Sequence, residues 1–261
     1  MRSLVICTAL LGSMFAQDAL ALRVMALDSC SDALVLRYHR PGDILSLTAW
    51  SSEAPGSPIA KRARRFHKNH ATIEEVFFFQ PDLVVKGMHG NPALLKLSRS
   101  RFRTIALPVA KTVPEALEHH RIVAAQFGRE EQAERYKVRI LKRLRDLRKK
   151  TNFISEKKVL TLMQGRLSAG RGTLLHDLYH RIGLTNTASG AEGWTILNRE
   201  EIIRLRPDRL VTAHGHSKPG HDLRFAGFDR RVDRVSESYL LCTGSWLEEM
   251  IEALAREQKA K

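Results

Sequence analysis

From residue 22 onward, short apolar runs alternate with stretches whose apolar positions recur at helical spacing, the pattern of an α/β chain. Arg23–Leu27, Ile44–Ala49, Leu83–Lys86 and Thr104–Leu107 read as strands, and Asp32–Tyr38, Thr72–Phe79 and Ala93–Ser98 as the helices among them. Past Gly128 the pattern changes. Arg129–Lys150 holds neither Gly nor Pro, and Ala133, Tyr136, Ile140, Leu144 and Leu147 fall on one helical face. As one helix from Gly128 to Lys150 it would run about 34 Å. Alternation then resumes, with strands expected at Val159–Met163 and Leu210–Ala213 and helices at Thr173–Ile182, Glu200–Leu205 and Ser245–Glu257.

An internal repeat lies on either side of that helix. Thr72–Val85 aligns with Asn198–Val211, each placing a cap residue, two glutamates, a short helix, Pro-Asp and then a strand. Thr72 and Asn198 can cap their helices, with Glu75 and Glu201 completing capping boxes three residues later. Pro81 and Pro207 end them. Two copies this far apart fit two similar lobes rather than a solenoid.

The first 21 residues have a different character. Arg2 precedes an apolar run, Ser3–Ala16, and Ala19-Leu20-Ala21 offers the small residues of a cleavage site, so residues 1–21 read as an export signal cleaved after Ala21. Gln17 and Asp18 interrupt the run too early for a membrane anchor, and Cys7 lies too near the start to be a lipid-attachment site. A periplasmic, soluble product is expected. The net charge of +15 survives cleavage, which removes only Arg2 and Asp18 among charged residues, and it favours an anionic partner; export argues against nucleic acid. Cys30 and Cys242 remain, and an oxidising compartment permits them to pair.

Several segments in order, Arg23–Asp32, His70–Val76, Gln80–Val84, Gln164-Gly165 with Ser168–Thr173, Gly183–Asn186, Gly193-Trp194 and Leu241–Trp246, resemble the periplasmic substrate-binding proteins of ABC importers for cobalamin and ferric siderophores. The resemblance implies two Rossmann-like α/β lobes joined by a single long helix, with the ligand in the cleft between them. The division would be an N-terminal lobe at 22–127, an interlobe helix at 128–150 and a C-terminal lobe at 151–261. It implies a binding role without catalysis or resident cofactor, a metal chelate or corrinoid as ligand, and a monomer that meets the membrane only through an ABC permease and its ATPase subunits. Projected onto this sequence, the ligand residues would be Ser29, Ser31, Trp50, His70 and His89 from the first lobe, and Gln164, Arg166, Trp194, His214 and Trp246 from the second. Tryptophan supplies apolar area with a polar handle, and Arg166 could pair with an anionic group of a chelate. Glu74 and Glu200, left over by the capping boxes, would dock on permease arginines. A disulfide between Cys30 and Cys242 would tie the lobes near the cleft mouth.

Three other functions compete. Eleven histidines, among them His67, His70, His89, His214, His216 and His221, raise a receptor for a bare divalent metal such as zinc or manganese, although no His-rich acidic loop is present. The glycine-rich Gly165–Gly172 stretch lacks both phosphate-loop patterns, and no Gly-x-Ser-x-Gly elbow occurs, which argues against an enzyme. An exported basic protein that binds polyanions through the Arg/Lys-rich helix is the third.

Overall fold

The structure is a computed structural model that describes residues 22–40, 42–54, 56–87, 96, 101–153, 157–214 and 232–256. Residues 1–21, His89, His216 and His221 lie outside these, as does the helix expected at 93–98 apart from Lys96. Each half of the chain builds one parallel sheet. β1 (Val24–Ala26), β2 (Ile44–Thr48), β3 (His67–Asn69), β4 (Leu83–Lys86) and β5 (Thr104–Ala106) form the first, in the order β3-β2-β1-β4-β5. β6 (Lys158–Leu162), β8 (Thr185–Asn186), β10 (Arg209–His214) and β11 (Val232–Ser236) form the second, in the order β11-β10-β6-β8. β7 (Leu167–Ala169) and β9 (Trp194–Ile196) make a small antiparallel ribbon on the second lobe.

Parallel neighbours require crossovers, and helices supply them. In the first lobe these are α1 (Ser29–Tyr38), α2 (Ala49–Glu53), α3 (Ala60–Ala63) and α4 (Ile73–Phe79). Between the sheets run α5 (Val113–Gln126) and α6 (Glu130–Thr151), and the second lobe adds α7 (Leu174–Arg181), α8 (Arg199–Leu205), α9 (Glu237–Leu241) and α10 (Leu247–Arg256).

The repeat is a true structural correspondence. Thr72 Oγ1 accepts the Glu75 N–H at 3.3 Å and Asn198 Oδ1 accepts the Glu201 N–H at 2.8 Å, while the two glutamates return the bond to the cap backbone. Both helices end on a left-handed residue before proline, Gln80 at φ 49° and Arg206 at φ 42°. The following aspartates, Asp82 and Asp208, each accept the N–H that opens the lobe's first strand, from Arg23 and Lys158, both at 2.8 Å.

The two lobes are knitted more tightly than one long helix would achieve. α6 is that helix, and its buried stripe spans both cores: Ala133 packs in the first, Tyr136, Ile140, Leu144 and Leu147 in the second. It is not alone. α5, which the periodicity reading leaves unassigned, pairs with it as a hairpin turned at Gly128, φ 59°. Val113, Ala116 and Leu117 of α5 sit in the second-lobe core, whereas Val123, Ala124 and Phe127 sit in the first. The chain crosses again near its end, where Cys242 and Trp246 enter the first-lobe core between Leu240 and Leu247 of the second. That excursion is pinned. Cys30 and Cys242 form a disulfide, Ser245 Oγ donates to the Cys30 carbonyl at 2.9 Å, and Arg37 pairs with Glu249 at 2.8 Å.

Fully buried His120 completes the joint. Its Nε2 lies 2.9 Å from the Gly244 carbonyl and its Nδ1 2.8 Å from the Tyr38 hydroxyl. A carbonyl only accepts, so Nε2 carries the proton and Nδ1 accepts from Tyr38. Burial, aided by nearby Arg37, pushes the imidazole down to about 3.

Candidate functional site

The carboxyl ends of parallel strands are where open α/β sheets place ligands. At the ends of β1, β2 and β3 a cavity of about 670 Å³ opens, lined by Leu27, Ser29, Trp50, His70 and, from the second lobe, Leu241. A smaller one of about 260 Å³ lies deeper between the lobes, against the disulfide, Ser31, Lys111, His119, the first turn of α7 and Trp194. Both are walled mainly by apolar groups with a few polar ones, the usual make-up of a small-molecule site.

Trp50 is 55% exposed, and the local sequence holds it that way. Asp32, fully buried under α2, accepts from the Thr48 hydroxyl, the Thr48 N–H and the Ser51 hydroxyl, the last at 2.6 Å. These bonds fix the turn on either side of Trp50. Burial pushes the Asp32 carboxyl up to about 8 against the pull of its Ser51 and Thr48 donors. Asp28 does the same for the neighbouring loops, accepting from the N–H groups of Cys30, Ser31 and Gly87.

His70 is exposed beside Trp50 and is held from behind. Asn69 Nδ2 donates to the Ala26 carbonyl at 3.0 Å and its Oδ1 accepts from Ala71 N–H at 3.1 Å, setting the loop at the end of β3. His70 Nδ1 lies 3.1 Å from Glu75 Oε1. The carboxylate can only accept, so Nδ1–H donates and, in the neutral ring, Nε2 is the nitrogen that carries the lone pair. Glu75, drawn well below the usual carboxylate range by donors from Thr72 and His70 despite partial burial, is a firm anchor.

The remaining expected residues divide. Ser29 lines the larger cavity, and its hydroxyl lies 3.7 Å from Cys242 Sγ. Ser31 borders the smaller one but is spent on capping α1, donating to the Asp28 carbonyl at 2.9 Å. Trp194 is 38% exposed on β9 at the edge of the smaller cavity. Gln164 and Arg166 sit on the turn between β6 and β7 and border neither cavity. His214 ends β10, and its side chain lies outside the description. Trp246 borders neither cavity. It is 7% exposed, packed at 5.5 Å against Tyr239 in the first-lobe core. Leu241, Lys111 and His119 border the cavities without having been singled out; only a contact across the lobes identifies them.

The sequence model of the periplasmic binding protein family matches residues 26–223. The chain belongs to the periplasmic binding protein family. Among solved structures, this periplasmic binding protein is similar to the haem-binding protein RhuT from Roseiflexus sp. RS-1, with a TM-score of 0.72, 19% identity, and coverage of 92% of this chain and 100% of that one. It is similar to the haem-binding protein HutB of Vibrio cholerae at a TM-score of 0.72 and 18% identity, covering 92% and 98%. The vitamin B12-binding protein BtuF of Vibrio cholerae follows at 0.67 and 18%, with the same coverage. At these identities the likeness is one of fold. A curated relative, the ABC transporter substrate-binding lipoprotein YvrC of Bacillus subtilis strain 168, is 23% identical over 165 residues, 59% of this chain. The match spans about half (52%) of that relative's length. The family is one of binding proteins rather than enzymes. Among the described residues no helix is long and apolar enough to cross a membrane.

Proposed function

We propose that this periplasmic binding protein is the receptor of an ABC importer and that it captures a metal chelate, a corrinoid or ferric siderophore, in the interlobe cleft. The observation that supports this most is the exposed Trp50 face over a cavity of about 670 Å³ closed from the far lobe by Leu241. A bare ion would need no such apolar area. His70 adds a coordinating group, since a carboxylate-backed imidazole with a free Nε2 is the usual form of a metal-ligating histidine. Chelates with an open axial position would use it, and saturated ones would not. The solved relatives include haem and vitamin B12 binders, which fits a large metal-bearing ligand. Among the described residues no three His, Cys, Asp or Glu side chains are grouped to hold a metal ion.

Delivery to a membrane permease rests on Glu74 and Glu200. Both are exposed in the first turns of α4 and α8, and neither has an ion-pair partner among the described residues. The test is tryptophan-fluorescence titration of the purified protein against cobalamin, haem, a ferric hydroxamate and Zn²⁺. Saturable quenching by one of the chelates is expected, weakened in Trp50→Ala. Stoichiometric Zn²⁺ binding with no response to any chelate would reverse the proposal.

A further inference from the structure

A second binding site lies away from the cleft, in a groove of about 530 Å³ between α6 and α7. Leu141 and Leu144 form its apolar floor, Arg145 and Arg148 stand on the α6 wall, and His180 and Arg181 on the α7 wall. Among the described residues Asp177 is the one carboxylate lining it, and it is already spent. Its Oδ2 accepts the Arg181 Nε–H at 2.7 Å and the Val113 N–H at 2.7 Å.

The charge left over is not explained by folding. Along α6, Lys137 pairs with Glu134, while Arg139 and Arg143 pair with Glu248 and Glu252 of α10. Among the described residues Arg148 donates only to the His180 carbonyl, at 3.2 Å, and Arg145 has no ion-pair partner. A helix C-terminus attracts cations only over its last turn. Arg145 lies six residues before Thr151, the end of α6, and so beyond that turn. Its neighbour Lys142, exposed and likewise without an ion pair, lies further back. Two guanidiniums on the α6 wall thus stand over leucines without a carboxylate partner among the described residues, beside an Asp177 that Arg181 already neutralises.

We propose that this groove binds a phosphate group. Guanidiniums recognise phosphate through paired N–H donors, and two planar forks three residues apart on one helix can grip one dianion together. The leucine floor suits a phosphate carried on an apolar body, such as the headgroup of an anionic phospholipid, and a soluble phosphate offers the same anion without the body. The site is independent of the cleft ligand.

The test uses the whole mature protein in 150 mM salt, where dispersed surface charge is largely screened beyond about 8 Å. Two probes separate the sources: co-sedimentation with vesicles of phosphatidylglycerol and phosphatidylcholine against pure phosphatidylcholine, and calorimetric titration with inorganic pyrophosphate. Arg145→Gln/Arg148→Gln should weaken the responding probe at least tenfold. The charge-matched pair Lys61→Gln/Arg65→Gln, on exposed first-lobe residues, should change it less than twofold. Binding to phosphatidylglycerol vesicles alone assigns a lipid headgroup, and binding to pyrophosphate assigns free phosphate. Should the double variant melt early through loss of the Arg148 bond, Arg145→Glu alone must reproduce the loss. Equal weakening by both pairs, or no binding of either probe by the unaltered protein, would overturn the proposal.

Discussion

The disulfide that joins the lobes can be removed without touching the cleft lining of Trp50 or His70. Cys30→Ala with Cys242→Ala opens a loop spanning 212 residues. In the chain-entropy account, releasing a loop of that size frees the unfolded chain by about 5 kcal/mol. The native state loses less, since both cysteines are buried and their packing methylenes survive in alanine. The Ser245 bond to the Cys30 carbonyl and the His120 bond to Gly244 use backbone carbonyls, so they also survive. A loss of about 3–5 kcal/mol is therefore expected, acting mainly through the unfolded state. Urea unfolding followed by circular dichroism and by tryptophan emission measures it, with the oxidised protein, the reduced protein and the double variant compared at one pH. The native emission should be unchanged, because Trp246 remains in the first-lobe core. A loss below about 1 kcal/mol, with two free thiols titrating in the denatured oxidised protein, would refute the bridge and the reasoning together.

Three further outcomes follow from the structure. Trp50→Ala should weaken binding of the responding chelate by about 2 kcal/mol, roughly thirtyfold, without altering stability, as expected for a central aromatic anchor; an unchanged Kd in the fluorescence titration removes Trp50 from the site. Glu74→Lys with Glu200→Lys should leave that Kd within twofold while uptake through the permease in cells falls at least tenfold, and normal uptake would remove both from docking. His120 should make stability fall in acid. Its folded value of about 3 lies below its unfolded value near 6.5, so between these the unfolded chain binds the extra proton and stability drops as pH falls, by about 3 kcal/mol at pH 4. His120→Gln should lower stability at pH 7 yet flatten that acid slope in urea titrations; an unaltered slope would show that another group controls it.

Much of this fold was legible because its signals are local. Thr72 and Asn198 announce their caps, Pro81 and Pro207 their stops, and Ala133 to Leu147 a helix with one buried stripe. What escaped depends on partners. β3 is His67-Lys68-Asn69, with no apolar alternation, and exists only because Ser46, Leu47 and Thr48 of β2 pair with it. α5 had its own start signal, Thr112 with Pro114 and Glu115, but its apolar residues serve two cores and blur a single stripe. The three tryptophans were indistinguishable as residues. Exposures of 55%, 38% and 7% for Trp50, Trp194 and Trp246 follow from where the fold carries each, Trp50 onto the turn that Asp32 holds, Trp194 onto an edge ribbon and Trp246 into the first-lobe core. The basic stretch of α6 was visible as charge, whereas its division into paired and unpaired arginines required α7 and α10.

The joint between the lobes bears on how such a receptor can work. Wide opening would have to shear α5 and α6 against the lobes and withdraw Cys242 and Trp246 from the first-lobe core. Exposing one large buried side chain alone costs about 1.5–3 kcal/mol, and the covalent bridge would still hold residues 30 and 242 together. The cleft is therefore shaped when the chain folds, and under the proposed function its ligand is chosen by fit to a preformed cavity rather than by closure around it. A site of that kind releases slowly unless something pulls the lobes apart. Under the proposed function that role falls to the permease, because Glu74 and Glu200 ride on equivalent helices of opposite lobes. Each helix is locked to the first strand of its own sheet through Asp82 or Asp208. A force applied at the two glutamates would thus be delivered to the sheets that wall the cleft.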